Sequence, residues 1–172
     1  MKTFDYQKSI TIKTTTEKVF SVLTSQIQEW WTKDFEGSSK NEGDEFSVHF
    51  GETFKTMQIL EIIPNEKVTW LCIDQHLEMP LGIPALKNKK EWVGNKIRWR
   101  IDEIGETTQL QLTHEGLNPT VECWDVCEQG WDQSLQSLKQ LLEKSSGLPF
   151  QQLDIEHLNN AIENKWKSGN IQ

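Results

Sequence analysis

The spacing of apolar positions changes twice along the chain, and those changes divide it into elements. Thr3 to Lys13 reads as a strand with Ile10 and Ile12 on one face. Thr14, Thr15 and Thr16 offer an N-cap, and Val19, Phe20, Val22 and Leu23 then recur at helical spacing in a helix beginning near Glu17. Thr24, Ser25 and Gln26 interrupt that stripe before a second short helix over Ile27 to Trp31, so a V-shaped pair is expected rather than one rod. Beyond a turn-rich break from Gly37 to Gly43 the period falls to two. Phe46, Val48 and Phe50 alternate with Ser47 and His49, Lys55 to Ile63 follows, Pro64-Asn65 turns the chain, and Val68 to Ile73 is nearly all apolar. Ile97, Trp99 and Ile101 alternate with Arg98 and Arg100, and Leu110, Leu112 and His114 with Gln109, Gln111 and Thr113, around a turn at Gly105.

Helical spacing returns near Thr120. Trp124, Cys127, Trp131, Leu135, Leu138 and Leu142 form one face of a helix reaching Ser145, with Gly147 as its expected C-cap and Pro149 beyond. About 25 residues make a helix of about 38 Å, long enough to cross the concave face of a twisted sheet. The expected architecture is α+β with a helix-grip arrangement. A curved antiparallel sheet of about six to seven sequentially paired strands would be gripped by the long C-terminal helix, with two short helices plugging one end. One domain is expected over residues 1–150, followed by a tail, 151–172, whose Asp154 to Trp166 stretch carries a weak helical pattern. Between Asp74 and Lys90 no period survives. Leu77 to Leu86, with Pro80, Gly82 and Pro84, is apolar but irregular, which suits a gate over a pocket mouth or a loop packed on a sheet edge.

Composition narrows the function classes. The net charge of -8 argues against a nucleic-acid partner. No run approaches the ~20 apolar residues that span a bilayer, and Met1 to Ile12 lacks a signal-like apolar core, so a soluble cytoplasmic protein without a membrane partner is expected. Three cysteines fit a reducing compartment better than a disulfide framework. The unusual count is eight tryptophans against one tyrosine, which in a small domain means a bulky core or an aromatic-lined cavity.

Several segments together resemble a known family. Val19-Phe20 with Trp30-Trp31, Ile62 to Trp70 (IIPNEKVTW), Trp92-Val93-Gly94, Leu112 to Leu117 (LTHEGL), Gly130-Trp131, Ser137-Leu138 and Leu141-Leu142, then Gly147 and Pro149, occur in an order and spacing similar to proteins of the SRPBCC or START-like superfamily. Within it the chain resembles proteins described as similar to the activator of heat-shock protein 90 ATPase, over roughly residues 5 to 150. The resemblance implies the START-like, Bet v-type helix-grip fold and a ligand-binding or interaction domain. The eukaryotic activator carries a separate N-terminal domain that engages the chaperone. The first strand here begins almost at Met1, so no such domain is expected ahead of it.

The candidate site is the space between sheet and long helix. Trp70, Trp99, Trp124 and Trp131 are expected to converge there, either lining a cavity or filling the core. Trp92 is expected to border the entrance, and of Trp30 and Trp31 at most one is expected to point fully inward. His114 shares parity with Leu110 and Leu112; it is either a polar handle or base for a ligand, or a buried histidine satisfied by its neighbours. Cys123 and Cys127 stand at i, i+4, but nothing completes a metal site at a recognisable spacing, and Cys127 lies on the tryptophan stripe where packing is the simpler role. No phosphate loop, His-Glu helix motif or Ser/His/Asp arrangement is evident, and no cofactor is expected. The ligand-binding residues expected are therefore Trp70, Trp92, Trp99, His114, Trp124, Cys127 and Trp131. The leading function is non-catalytic binding of a small hydrophobic or aromatic ligand. The alternatives are a protein-interaction or co-chaperone domain with a chaperone contact, and an enzyme of the cyclase or hydrolase kind with His114 as base. Either a monomer or a homodimer is compatible.

Overall fold

The computed structural model describes residues 4–151, so the tail and its weak helical pattern over 154–166 lie outside the described residues. In chain order the elements are β1 (Tyr6–Ile12), α1 (Thr16–Thr24), α2 (Ile27–Trp30), β2 (Phe35–Gly37), β3 (Glu45–Phe50), β4 (Thr53–Ile63), β5 (Lys67–His76), β6 (Lys96–Ile104), β7 (Thr107–His114) and α3 (Trp124–Lys144). The seven strands form one antiparallel sheet in the order β1-β7-β6-β5-β4-β3-β2. Strands β2 to β7 meander as expected. The expectation of strictly sequential pairing fails at β1, which pairs with β7 from Tyr6 opposite His114 to Ile12 opposite Thr108. The helices α1 and α2 account for this, because they carry the chain from one sheet edge to the other before β2 begins.

Local chemistry explains most boundaries. Thr15 caps α1 by accepting from the Lys18 amide, and Val19, Val22 and Leu23 are buried beneath it. Strand β2 is a departure: at three residues it is too short to show a period of two, and it ends at Gly37, where a Cβ would run into the Glu45 carbonyl. Two register shifts between β4 and β5, at Thr56/Met57 and at Ile59/Glu61, bend the sheet around the long helix. In β5, Val68, Thr69 and Trp70 are buried in succession, which matches the lack of alternation in Val68 to Ile73.

Helix α3 buries Cys127, Trp131, Leu135 and Leu138 against the concave face. Its C-cap is Ser145 in the left-handed region (φ 66), not Gly147 as expected. The requirement at Gly147 is close approach: a Cβ there would collide with the Glu29 carbonyl. The chain then returns across α2, where the Phe150 amide donates to the Trp31 carbonyl and the Lys33 amide to the Phe150 carbonyl, both at 3.0 Å. Among the described residues no helix is long and apolar enough to cross a membrane.

The loop between β5 and β6 is tied down at both ends. The Glu78 amide donates to Thr53 Oγ1 at 2.9 Å, and the Leu77 amide to the Lys89 carbonyl at 3.0 Å. Farther along, the Glu91 carboxylate accepts from the Glu122 and Cys123 amides at 3.0 and 3.1 Å, capping α3 in place of the absent side-chain cap at Cys123. Glu122 reciprocates by accepting from the Lys87 and Asn88 amides. Residues 80–85 between these ties are exposed, including Leu81 and Ile83. Glu91→Ala is expected to lower stability by about 1 kcal/mol through the lost cap, and to raise amide exchange at residues 87–92 and 122–123 while the sheet stays protected. Hydrogen exchange read by mass spectrometry checks it; unchanged exchange across both segments would show that Glu91 does not tie the loop.

Candidate functional site

Trp30 and Trp31 both point inward, with 0% and 5% of their surface exposed, which corrects the expectation that only one could. Helix α2 is a single turn whose end is enclosed by β3, β5, α3 and the returning Phe150 segment, so its last two positions both face interior. Their rings stack at 5.6 Å and 4°. Trp31 also stacks on Trp70 at 5.8 Å and on Trp131 at 5.1 Å. Trp131 in turn stacks on Trp92 at 5.6 Å and 9°. A continuous array of flat rings therefore runs from α2 past α3 to the β5–β6 loop.

Beside this array lies an open-sided cleft of about 1050 Å³. Trp31, Trp92, Trp131 and Cys127 form its inner walls, Phe50 and Phe150 one side, and Leu77, Met79 and Leu81 of the loop the other. The size reaches the upper end of ordinary ligand pockets, about 300–1,000 Å³. Of the expected ligand-binding residues, Trp92, Cys127 and Trp131 line the cleft, and Trp30 and Trp31 join them. Trp70 and Trp99 lie behind it, fully buried in the core. Trp124 opens α3 and is partly buried away from the cleft.

His114 also lies behind the wall. It is fully buried and stands edge-on to Trp92 at 4.5 Å. The Trp131 indole N–H donates to Nδ1 at 3.0 Å, which leaves the ring proton on Nε2 to donate to Asn95 Oδ1, also at 3.0 Å. Both nitrogens are thereby occupied. Burial, with a smaller push from the Lys55 charge, takes its pKa down to about 3. The side chain acts as a neutral bracket that sets the orientation of Trp131.

The residue that pattern reading passed over is Lys55. On β4 it shares inward parity with Thr53, Met57 and Ile59, all buried. Its Nζ sits 4.4 Å from the centre of the Trp92 ring, 4.7 Å from Phe50 and 5.8 Å from Trp31. The side chain is partly buried and what remains open faces the cleft. No hydrogen bond or carboxylate reaches the ammonium among the described residues, whereas Lys89 and Lys90 nearby are paired with Glu78 and Asp74. Burial holds its pKa below the ordinary lysine value, against a weaker opposing pull from the thiols of Cys127, Cys72 and Cys123. Cation–π contacts return about 0.5–2 kcal/mol, less than the several kcal/mol that burying an ion costs, so the ring cage compensates only part of the charge.

The thiols divide: Cys127, on the cleft wall, is held below the ordinary thiol value by its hydrogen bond with Cys123, with a smaller contribution from the Lys55 charge working against burial. Burial pushes Cys72 up to about 12. Cys123 is held protonated by its hydrogen bond to Cys127 and by burial. Among the described residues no group of three or more His, Cys, Asp or Glu side chains is placed to hold a metal ion.

Comparison with known proteins follows the same lines as the geometry. Residues 13–143 match the family model described as Activator of Hsp90 ATPase homolog 1-like protein. The solution structure of the Aha1 dimer from Colwellia psychrerythraea is similar at 25% identity and a TM-score of 0.66, covering 86% of this chain and all of that one. DynU16, from the dynemicin biosynthetic locus, shares the fold at 13% identity and a TM-score of 0.63, covering 82% of this chain and 48% of its own. CalU16 from Micromonospora echinospora does so at 20% identity and 0.56, covering 81% and 76%. A search of curated proteins finds no match.

The histidine bracket has a measurable consequence. Because the folded pKa of His114 lies below the unfolded value of 6.5, its contribution to stability is complete above about pH 6.5 and is lost as pH falls toward 3. Between pH 6.5 and 5, above the range where the carboxylates titrate, unfolding free energy is expected to fall by up to about 1.4 kcal/mol per pH unit. His114→Gln keeps an acceptor for Trp131 and a donor for Asn95, and is expected to flatten that slope by one proton's worth. Urea denaturation at stepped pH measures it; an unaltered slope in the variant would show that His114 titrates normally.

Proposed function

The chain belongs to the Activator of Hsp90 ATPase homolog 1-like family, and from that premise we propose that it is a non-catalytic binding domain for a small hydrophobic or aromatic ligand. The observation that carries the reading is the cleft of about 1050 Å³ walled by the faces of Trp31, Trp92 and Trp131. Flat, rigid rings bury a large apolar area at little entropic cost, and a ligand sliding between them would exchange water for ring contacts. The irregular loop tip with Leu81, and Leu148 opposite, supplies an apolar mouth.

Gly130 offers a test that leaves the core alone. It is on α3, lines the cleft, and has open space where its Cβ would be. Gly130→Leu should stabilise the helix by about 0.5–1 kcal/mol while plugging the cleft. Nile red, a neutral apolar dye, is expected to bind the wild type and to lose at least about tenfold in affinity in the variant, with thermal melting reporting the stability gain. Equal dye binding by both proteins, or none by the wild type, would sink the reading.

A second reading, protein interaction, rests on the similar Aha1 protein being a dimer and on the exposed Leu81 and Leu148 at the cleft mouth. Homodimerisation would bury that rim, and a chaperone contact would use the same apolar surface. Sedimentation equilibrium is expected to show a dimer that Leu148→Asp weakens. A monomer at every concentration, with no effect on the Hsp90 ATPase rate, would remove this reading and leave the first standing.

A further inference from the structure

We infer, resting on the ligand-binding reading above, that the cleft selects ligands carrying a carboxylate on an aromatic or aliphatic body, and that Lys55 receives that carboxylate. The argument starts from position. On β4, Lys55 lies between Val48 of β3 and Gln75 of β5, both fully buried. An apolar side chain in its place would complete a smooth wall. Instead an ammonium is aimed into the cleft from among three ring faces, 4.4 to 5.8 Å away.

The surrounding charges do not explain it. Two carboxylates line the same cleft, those of Glu52 and Glu78. Glu78 is already held by Lys89 at 2.6 Å and His76 at 2.8 Å, and Glu52 is exposed at the β3–β4 turn. Neither is ion-paired with Lys55. In a chain of net charge -8, a cation left without its own carboxylate is chemically conspicuous. The other hydroxyls on the cleft wall are occupied: Thr53 holds the Glu78 backbone, and Ser134 donates to the Gly130 carbonyl. Lys55 is thus the strong donor left free to orient a ligand. The ring cage does the rest, because it excludes water from around the ammonium and so strengthens its attraction for an anion that arrives with an apolar body. A neutral ligand would fill the same space without meeting that charge, and a cationic one would be repelled.

Three probes of one shape separate the possibilities: 1-naphthaleneacetate, the neutral 1-naphthaleneacetamide and the cationic 2-(1-naphthyl)ethylamine. Isothermal titration calorimetry at pH 7.5 is expected to rank them in that order, with the acetate at least about tenfold tighter than the amide. Lys55→Met is expected to bring the acetate down to the affinity of the amide while leaving the amide unchanged, and to raise the melting temperature because a lone buried charge is removed. Lys55→Arg is expected to retain part of the acetate preference. If the amide binds wild type as tightly as the acetate, the inference is overturned and the binding reading survives. If Lys55→Met binds the amide normally but melts lower than wild type, the lysine belongs to the packing and the inference falls. If none of the three probes binds, both the inference and the reading beneath it fall together.

Discussion

Trp31 is the contact on which the arrangement depends. It stacks on Trp30, Trp70 and Trp131 and meets Phe50 edge-on, so one ring joins α2, β5, α3 and β3. Behind it, Trp70 and Trp99 are fully buried with indole N–H groups that have no partner among the described residues. An unpaired buried donor costs about 1–3 kcal/mol. Burying the 150–250 Å² of a tryptophan returns about 4–6 kcal/mol at 25 cal/mol/Å². Bulk therefore wins over hydrogen bonding in this core, and the two rings serve as the platform on which the lining rings stand.

That platform explains why the molecule has a cleft at all. The five stacked rings of Trp30, Trp31, Trp70, Trp92 and Trp131 are wide and rigid, so they set the distance between α3 and the sheet and cannot collapse to close the gap they create. Gly130 on the helix side leaves the gap wider still. The opening is then edged by two segments of irregular backbone, the β5–β6 loop and the Leu148–Phe150 return. Each is anchored by backbone hydrogen bonds to the elements it crosses, so the rim is held in place while the loop tip over residues 80–85 stays exposed.

The grip was legible because it is written in periods. The helical spacing from Trp124 to Leu142 and the alternation in β3, β6 and β7 survive any reading of the chain. The extra residues of the bulged pair are Ile73 on β5 and Leu60 on β4, so parity on β4 runs unbroken from Thr53 to Ile59, and Lys55 escaped notice because a charged side chain at the start of a strand reads as an outward position. The signal that would have found it is narrow: a lysine at the parity of Thr53, Met57 and Ile59 within a strand whose inward positions are otherwise apolar or small. The tryptophans were legible as a group but not individually. Whether a ring lines or backs the cleft depends on which side of the stacked array it sits, and no spacing in the sequence encodes that. Trp30 and Trp31 misled for a related reason: adjacent helical residues diverge by about 100°, but a one-turn helix enclosed on several sides has interior in both directions.

His114 and Lys55 divide the polar work of the interior between them. His114 is the bracket: its two nitrogens are spent on Trp131 and Asn95, and a proton on it would have no acceptor and would face the Lys55 charge. Lys55 has the opposite situation, with rings around it, the cleft before it and no carboxylate of the chain's own bonded to it. Orientation of the aromatic wall and recognition by charge are thereby assigned to different residues, both in contact with Trp92. A change at one alters ring geometry, and a change at the other alters electrostatics. The neutrality of the histidine also keeps a second positive charge from forming close behind the wall, which leaves the ammonium on β4 as the single cation facing the cleft among the described residues.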